Sequence, residues 1–266
     1  MKHVAVIATH HKTGTVWMRT VFQRIAKKIG IKFLFVQELA GTGPAALDVP
    51  SIVLADHSVF PNCRWMLKHP QTRILHLIRD PRDVVVSAMH YHRTAIEPWL
   101  HKPWRSFGGM TYQEKINSLE DDQARYIFEM QNSARQVIRA MRKWNYKRKN
   151  AIECKYEDLI ADYEAKKFTE VLRNLGFEDH ELKICRKVFL AKSLFGKNKK
   201  NGHQHIRSGE GQQWKSAFNA ELAEQFIARF DDVLVDLGYE ADNAWIGKLR
   251  SSLEEDVLSV SRQVGR

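Results

Sequence analysis

Residues 6–18 read VIATHHKTGTVWM, and this stretch decides the fold. The apolar, β-branched run over residues 3–9 has the character of a buried strand. It gives way to Lys12, Gly14 and flanking threonines, and from Thr15 onward apolar residues recur at the spacing of a helix. The pattern therefore predicts a buried strand, a short polar loop and an amphipathic helix in direct succession.

The rest of the chain repeats this alternation of strands and helices. One helix is predicted to run from Thr15 to a stop at Gly30. Another is predicted to start with Asp80 as N-cap, Pro81 in the first helical position and Asp83 in the first turn. Further strands are predicted at 31–37, 51–56, 72–78 and 150–156. Further helices are predicted at roughly 113–143, 161–175, 180–193, 219–237 and 245–260.

This order of elements predicts an α/β protein with a mostly parallel sheet covered by helices on both faces. Segment 192–214 is rich in basic residues and glycine and is predicted to be a surface loop. No linker rich in proline or serine divides the sequence. One domain is therefore predicted over residues 1–266, with a helical tail at about 243–266.

Composition narrows the classes of function. The 266 residues carry a formal charge of +11, which favours anionic partners such as nucleic acid, acidic lipid, a polyanionic sugar or a phosphate-rich cofactor. Cys63, Cys154 and Cys185 lack C-x-x-C spacing, which argues against a disulfide framework and a cysteine zinc site. No apolar run approaches the ~20 residues of a membrane span. The first apolar run is too short for a secretory signal, so a cytoplasmic protein without a membrane span is predicted.

Four of the predicted strands are followed by residues suited to ligand binding. Lys12, His57, Arg79 and Tyr156 each come after or at the end of a strand. Ligands of open α/β sheets bind outside the carboxyl ends of the strands, where these residues are expected to gather. The sequence therefore predicts a binding site for an anionic ligand at that edge.

The loop after the first strand has the groups that a phosphate requires. Gly14 allows close approach of the backbone, and the N–H groups at the start of the next helix favour an anion. Lys12 adds a full charge, and the hydroxyls of Thr13 and Thr15 are expected to donate further hydrogen bonds. The loop differs from a Walker A motif, because its lysine precedes the only glycine among the first 29 residues.

Four motifs resemble those of the cytosolic-type sulfotransferases, which use 3′-phosphoadenosine 5′-phosphosulfate (PAPS). They are KTGTVWM at 12–18, RDPRDVVVS at 79–87, KYEDL at 155–159 and IRSGEGQQWKSAF at 206–218, in the order of that family. The first resembles the family's 5′-phosphosulfate loop, the second its 3′-phosphate motif and the last its C-terminal glycine-rich loop. The resemblance implies a three-layer, P-loop-like α/β fold and an enzyme that releases 3′-phosphoadenosine 5′-phosphate (PAP).

The resemblance also implies the roles of individual residues. Lys12 is expected to contact the sulfuryl group and the leaving phosphate. His57, which stands 22 residues before Arg79, is expected to be the general base. Trp17 is expected to stack on the adenine. The implied nucleotide-binding residues are Lys12, Thr13, Gly14, Thr15, Val16, Trp17, Arg79, Ser87, Tyr156, Ser193, Phe195, Arg207, Ser208 and Gly209.

Two positions depart from the family pattern. Val16 stands where the family usually has threonine, and Ser208 stands where it usually has lysine, so fewer contacts to the phosphates are expected. Lys12 supplies the cation that the leaving phosphate needs, and no metal is expected to be required. The histidines at 10–11 and 203–205 lack the carboxylate or thiolate partners of a complete metal site.

The acceptor is expected to be the hydroxyl of a small molecule or a sugar, without a nucleic acid partner. The aromatic, proline-containing stretch IEPWLHKPWRSFGG at 96–109 is predicted to cover it, with Trp99, Trp104 and Phe107 in the pocket. Two other functions remain open at this point. A P-loop nucleotide kinase or NTPase predicts magnesium dependence, and a non-catalytic polyanion-binding protein predicts an affinity that falls steeply with salt.

Overall fold

The chain is organised as two compact units. The first, called here the sheet unit, comprises Met1–Arg79 and Lys143–Gly211, and the second, the helical unit, comprises Asp80–Arg142 and Gln212–Arg266. The single domain over residues 1–266, with its tail at about 243–266, stays a prediction. The computed structural model describes residues 1, 3–39, 42, 47, 49–56, 64–194 and 211–247.

Five parallel strands form the framework of the sheet unit, in the spatial order β2-β3-β1-β4-β5. The three inner strands, β1, β3 and β4, are almost wholly buried, which explains why they read as continuous apolar runs. The edge strands β2 and β5 are more exposed. The strands are β1 (Val4–Ala8), β2 (Lys32–Phe35), β3 (Ser51–Ala55), β4 (Thr72–Ile78) and β5 (Ala151–Lys155).

Helices cover both faces of this sheet. They are α1 (Thr15–Ile29), α2 (Arg64–Lys68), α7 (Tyr156–Ile160), α8 (Lys166–Asn174) and α9 (Asp179–Ala191). Residues on one face of the strands, such as Ile7 and Leu75, pack against α1, α8 and α9. The alternate residues, such as Val6 and Ile74, pack against α2 and a 3₁₀ turn at Val36–Leu39. The predicted three-layer α/β arrangement is confirmed.

The ends of α1 lie where the sequence places them. The helix begins after Gly14, buries the face that contains Met18 and Phe22, and ends at Gly30. Gly30 is left-handed, with φ 74°, and its N–H donates to the carbonyl of Ala26. The polar loop that precedes α1 is therefore attached to a helix whose apolar face is packed in the core.

The helical unit contains the other helices of the described residues. The N-cap Asp80 accepts a hydrogen bond from the Arg82 N–H, and Pro81 is the first helical residue, as predicted. Among the described residues of the chain, no helix has the length and apolar character needed to cross a bilayer. The helices of this unit are α3 (Pro81–His92), α4 (Tyr112–Asn117), α5 (Asp122–Gln131), α6 (Ser133–Arg142), α10 (Trp214–Ala217), α11 (Ala220–Phe230) and α12 (Val233–Asp236).

The prediction of one long helix at 113–143 is wrong. The region contains α4, α5 and α6, because short polar side chains favour helix ends over continuation. The Asp121 carboxylate accepts from the Ala124 N–H and starts α5, whereas Asn132 ends it with a non-helical ψ of −109°. Each helix nevertheless keeps the apolar face that suggested the longer one.

Three other predicted helix and strand boundaries differ from those of the structure, for similar local reasons. Asp231, with φ 47°, separates α11 from α12 where one helix was predicted at 219–237. The carboxylate of Asp162 accepts the N–H groups of Lys166 and Phe168, so α8 starts later than residue 161. The strand predicted at 150–156 ends one residue earlier, and Tyr156 begins α7. The helix predicted at 245–260 lies outside the described residues beyond position 247.

Candidate functional site

Two loops leave the sheet at the point where its strand order reverses. From β1 the chain passes through α1 to β2 on one side, whereas it later reaches β4 on the other side of β1. Ala8 at the end of β1 is in register with His76 of β4, so the loop over residues 9–14 and Arg79 lie at the same edge. Such a switch point is where open α/β sheets bind their ligands.

The carbonyl oxygen of His10 organises the loop between β1 and α1. It accepts hydrogen bonds from the Thr13 N–H at 3.1 Å, the Thr13 hydroxyl at 2.9 Å and the Thr15 hydroxyl at 3.0 Å. Since the single Thr15 hydroxyl proton is directed to this carbonyl, the Thr9 hydroxyl is the donor in the 2.8 Å contact between Thr9 and Thr15. The hydroxyls that were expected to contact phosphate therefore brace the loop itself in this structure.

The N-terminus of α1 still offers hydrogen-bond donors to an anion. Its first intrahelical bond runs from the Met18 N–H to the Gly14 carbonyl at 2.9 Å, so the N–H groups of Thr15, Val16 and Trp17 precede it. These groups and the dipole of the fifteen-residue helix favour a phosphate. Val16 retains this main-chain donor although it lacks the hydroxyl of the family's usual threonine.

Lys12 and Gly14 give the loop its shape. Both have left-handed backbones, with φ 66° at Lys12 and φ 104° at Gly14. For a lysine this conformation costs about 1–3 kcal/mol, which the surrounding hydrogen bonds must offset. The half-buried Lys12 is thus held in a turn that few lysines adopt. Such local strain is characteristic of functional sites.

Arg79 links the end of β4 to this loop. Its Nη1 donates to the Lys12 carbonyl at 3.1 Å, and its guanidinium lies 4.6 Å from the centroid of the Tyr156 ring. Arg79 and Tyr156 are both 5% exposed. Three of the predicted site residues, Lys12, Arg79 and Tyr156, therefore lie together in the sheet unit.

Trp17 connects Tyr156 with the segment that contains Ser193. The Trp17 ring is 4% exposed and contacts Tyr156 edge-on at 5.9 Å and Phe189 at 5.7 Å. Its Nε1–H donates to the Lys192 carbonyl at 2.8 Å, and the Ser193 hydroxyl donates to Leu190 at the end of α9. Trp17 therefore has a packing role that fixes the segment before Ser193, and its stacking on adenine stays a prediction.

Gly14→Ala is expected to destabilise the chain and to weaken ligand binding at the loop. A Cβ atom at this position would lie 3.0 Å from Tyr156 Cδ2, and the φ of 104° disfavours any L side chain. Overpacking and backbone strain together are expected to cost about 2–4 kcal/mol, to be measured by urea unfolding. Gly30→Ala is the matched control, because Gly30 is also left-handed but has nothing within 4 Å of its Cβ position. Equal losses for the two variants would contradict a specific role for the Gly14–Tyr156 contact.

The helical unit carries the second half of the motif that begins at Arg79. Arg82 is 2% exposed, pairs with Asp80 at 2.7 Å and with Glu240 at 2.6 Å, and lies 3.6 Å from the Trp214 ring centroid. The buried Asp83 carboxylate accepts the N–H groups of Gln212 at 2.8 Å and of Trp214 at 2.9 Å. Arg82 and Asp83 therefore fix Gln212 and Trp214, which lie within the C-terminal motif at 206–218. Ser87 lies half-buried within α3.

The three residues predicted for the acceptor pocket gather around Tyr112 in the helical unit. The ring centroids of Trp99, Trp104 and Phe107 lie 5.0, 6.5 and 6.0 Å from that of Tyr112. Trp104 is 40% exposed and stacks on Phe107 at 5.6 Å. The cluster offers an exposed aromatic surface, and its contact with an acceptor stays a prediction.

Several predicted site residues lie outside the described part of the chain. They are His57, Phe195, Arg207, Ser208 and Gly209.

Cys63 also lies outside the described residues, whereas Cys154 and Cys185 are buried free thiols whose pKa values burial raises to about 12. In the described ranges, no group of three or more His, Cys, Asp or Glu side chains is arranged to hold a metal ion. That the reaction requires no metal stays a prediction.

The sequence reasoning missed His76 and Glu153, and it considered His10 only as a metal ligand. His10 and His76 contact each other through their Nε2 atoms at 2.9 Å, and His76 Nδ1 lies 3.4 Å from Glu153 Oε2. The one signal was a histidine inside the apolar strand run TRILHLI at 72–78. Its partners follow only from the register of the sheet. Asp83 was expected to favour the start of α3, and its role as an acceptor for two distant N–H groups was missed.

The family comparison gives one match that covers more than half of the chain. A family model described as a sulfotransferase domain matches residues 44–238. The matched part includes Arg79, Ser87 and Tyr156, whereas the loop with Lys12 precedes it. None of the curated proteins compared with the chain matches it significantly.

Solved structures share the fold at low sequence identity. A crystal structure of mouse sulfotransferase SULT7A1 complexed with PAP has a TM-score of 0.56 at 18% identity, covering 88% of this chain and 84% of that one. Retinol dehydratase in a complex with retinol and PAP has a TM-score of 0.55 at 14% identity, covering 87% and 81%. A complex of retinol dehydratase with androsterone and PAP has a TM-score of 0.52 at 14% identity, covering 87% and 80%.

Proposed function

The chain belongs to the sulfotransferase domain family, and we propose that it transfers a sulfuryl group from PAPS to the hydroxyl of a small molecule or a sugar. The observation that carries this proposal is the meeting of Lys12, Arg79 and the start of α1 at the switch point of the sheet. Two cationic side chains and a row of main-chain N–H groups suit a ligand with several phosphates. PAP, the product of PAPS, is bound in the similar folds of mouse SULT7A1 and retinol dehydratase.

The donor nucleotide is proposed to bind across the motifs that the sequence singled out. The N–H groups at the start of α1 hold its 5′-phosphate, and Arg79 and Ser87 hold its 3′-phosphate together with Arg207, Ser208 and Gly209. Tyr156, Trp17, Ser193 and Phe195 are proposed for the adenine side. Arg79 also holds the Lys12 carbonyl, so one side chain connects the two phosphate-binding loops.

In the transfer step the acceptor oxygen bonds to sulfur, and the bond between sulfur and the 5′-phosphate oxygen breaks. The electron pair of that bond stays on the phosphate, which leaves as PAP. A fixed cation aimed at this developing charge lowers the barrier, and Lys12 is proposed to supply it. The acceptor proton passes to His57, because an imidazole titrates in the range that a general base needs.

The acceptor is proposed to lie against the aromatic cluster of Trp99, Trp104 and Phe107. Aromatic rings provide apolar contact area for steroids, phenols and the faces of sugars alike. The similar structures hold apolar acceptor-type molecules: one retinol dehydratase complex contains retinol and another androsterone. The absence of a nucleic acid partner and a cytoplasmic location stay predictions.

The proposed function is tested first by nucleotide binding. PAP at 100 times its dissociation constant is expected to stabilise the chain by about 2.7 kcal/mol, which raises the melting temperature by several degrees. ATP with magnesium at the same concentration is expected to have little effect. The binding test is followed by PAP release from PAPS in the presence of phenolic, steroidal and sugar acceptors. Stabilisation by ATP-magnesium alone would favour a kinase or NTPase, and absence of PAP binding would contradict the proposal.

Neither alternative function has an observation of its own. A P-loop kinase is disfavoured because Lys12 precedes Gly14 in a loop that lacks the Walker A spacing. A non-catalytic polyanion binder does not require a strained lysine and a glycine packed against Tyr156. PAP binding is expected to persist in roughly 0.5 M salt, where the contacts of a polyanion with a surface of positive charge fail. This persistence distinguishes a preorganised nucleotide site from such a surface.

A further inference from the structure

A line of polar side chains, buried except at Glu153, runs from the loop over residues 9–14, called here the donor loop, across the sheet to its edge. His10 Nε2 contacts His76 Nε2 at 2.9 Å, and His76 Nδ1 lies 3.4 Å from Glu153 Oε2. His10 is 3% exposed and His76 is fully buried, whereas the Glu153 side chain is 33% exposed. Trp144 stacks on the His76 ring at 4.1 Å and 14°, which fixes its plane. All these residues belong to the sheet unit.

The line begins at the residue that organises the loop. The His10 carbonyl accepts three hydrogen bonds from Thr13 and Thr15, and the His10 main-chain N–H donates to the Thr13 hydroxyl. A displacement of His10 would therefore loosen the loop on which Lys12 and the start of α1 depend. The imidazole of His10 contacts His76, which lies on β4 beside the end of β1.

The contact between the two histidines requires one proton between their Nε2 atoms. Burial lowers the pKa of His76 to about 3, so this ring stays neutral near neutral pH. A neutral His76 has one N–H, and it donates either to Glu153 through Nδ1 or to His10 through Nε2. The state of Glu153 therefore decides which nitrogen of His76, and in turn of His10, carries the proton.

Glu153 is poised to change that state near neutral pH. Burial raises its pKa to about 7, and Lys155 on the same strand lowers it in part. Glu153 interacts with His76 from β4, with Lys155 from β5 and with Tyr146 from the segment before β5, and burial together with Glu153 raises the pKa of Tyr146. Below about pH 7 the protonated carboxyl donates to His76, and above it the carboxylate accepts.

We propose that His76 and Glu153 are positioning residues for the donor loop, which hold the His10 imidazole and thereby the loop that binds the 5′-phosphate of PAPS. This inference rests on the proposed function for the identity of the ligand alone. The side chains act through His10 and do not themselves contact the nucleotide. His76 fixes the ring, and Glu153 sets the direction of the hydrogen bonds along the line.

The binding test compares PAP dissociation constants, measured by calorimetry, for the full chain and three variants. His76→Phe keeps a ring to stack on Trp144 but removes both nitrogens, and is expected to raise the dissociation constant roughly 3- to 10-fold. His76→Gln restores a polar group toward His10 and is expected to recover most of that loss. Ile74→Ala is the matched control on the same strand and face, expected to lower the melting temperature without changing PAP affinity.

The second measurement follows the imidazole nitrogens by ¹⁵N NMR as a function of pH. The His10 and His76 ring shifts are expected to exchange their protonated nitrogen with a midpoint near pH 7, and Glu153→Gln is expected to abolish this step. Because the unfolded carboxyl titrates near pH 4.5, stability is expected to fall as pH rises from about 4.5 to about 7, and the fall is lost in Glu153→Gln.

These measurements separate the failure of the inference from the failure of the proposed function. If the unmodified chain does not bind PAP, the proposed function is contradicted. The NMR titration then still decides whether Glu153 controls which nitrogens of His76 and His10 carry the proton. If the unmodified chain binds PAP and His76→Phe binds it equally well, the positioning role is wrong. It is also wrong if Ile74→Ala weakens PAP binding as much as His76→Phe, or if the ring shifts do not change near pH 7. A failure of His76→Phe to fold leaves Glu153→Gln and the titration to decide.

Discussion

Replacing Lys12 with alanine is expected to lower kcat roughly 10²–10³-fold, the usual effect of removing one group that stabilises the charge of a transition state. The affinity for PAPS is expected to change much less, because the charge on the leaving phosphate oxygen develops only as its bond to sulfur breaks, and because Arg79 and the start of α1 are also proposed to hold the nucleotide. Steady-state kinetics and a calorimetric PAPS titration without acceptor give the two quantities separately.

The left-handed backbone of Lys12 supplies the control for this experiment. With φ 66°, both lysine and alanine are strained at position 12, whereas glycine is not. Lys12→Gly is therefore expected to match or exceed the unmodified chain in stability while losing as much activity as Lys12→Ala. A variant that loses PAPS affinity in proportion to its rate would contradict the transition-state role. Recovery of activity in Lys12→Gly would assign the effect to the backbone.

Local sequence signals were sufficient for the elements that carry the site. Apolar runs predicted all five strands within about two residues, and Asp80, Pro81 and Gly30 marked helix ends through their own conformational preferences. The edge that collects Lys12 and Arg79 followed from the parallel sheet alone. The predictions succeeded where a residue's role depends on its immediate neighbours in the chain.

Such local signals do not reveal contacts between segments that are distant in the sequence. The 2.9 Å contact of His10 with His76 exists because Ala8 and His76 are in register, a pairing that no local pattern specifies. Likewise, Asp83 carries the signature of a helix start but also accepts the N–H groups of Gln212 and Trp214, about 130 residues away. Its burial, not its position in the helix, reveals the second role.

The loop also shows how a hydroxyl can have a role different from the one its motif suggests. Thr13 and Thr15 were expected to donate to phosphate, and in the structure each donates to the His10 carbonyl. A hydroxyl group has one proton to donate, so a donation from either threonine to phosphate, which stays a prediction, would require that proton to turn away from the carbonyl. Only the geometry distinguishes the two uses. It also explains why Val16, which keeps its N–H, is compatible with a phosphate-binding helix start.

Replacing His57 with alanine is expected to lower kcat roughly 10²–10⁴-fold, the range that a positioned general base contributes. His57 follows β3, whose last residue Ala55 is in register with Ala8 at the edge that carries the donor loop. A general base takes the acceptor proton as the acceptor oxygen bonds to sulfur. PAP binding is expected to be unchanged, because the base acts on the acceptor and not on the nucleotide.

The pH profile and chemical rescue identify the role of His57 more strictly than the rate alone. In the unmodified chain kcat/KM is expected to fall on the acidic side as the imidazole becomes protonated, and this limb is expected to disappear in His57→Ala. Added imidazole is expected to restore part of the rate. His180→Ala, which removes an exposed histidine on α9, is the control expected to keep the original profile. An acidic limb that survives in His57→Ala, together with a rate near that of the unmodified chain, would assign the base to another residue.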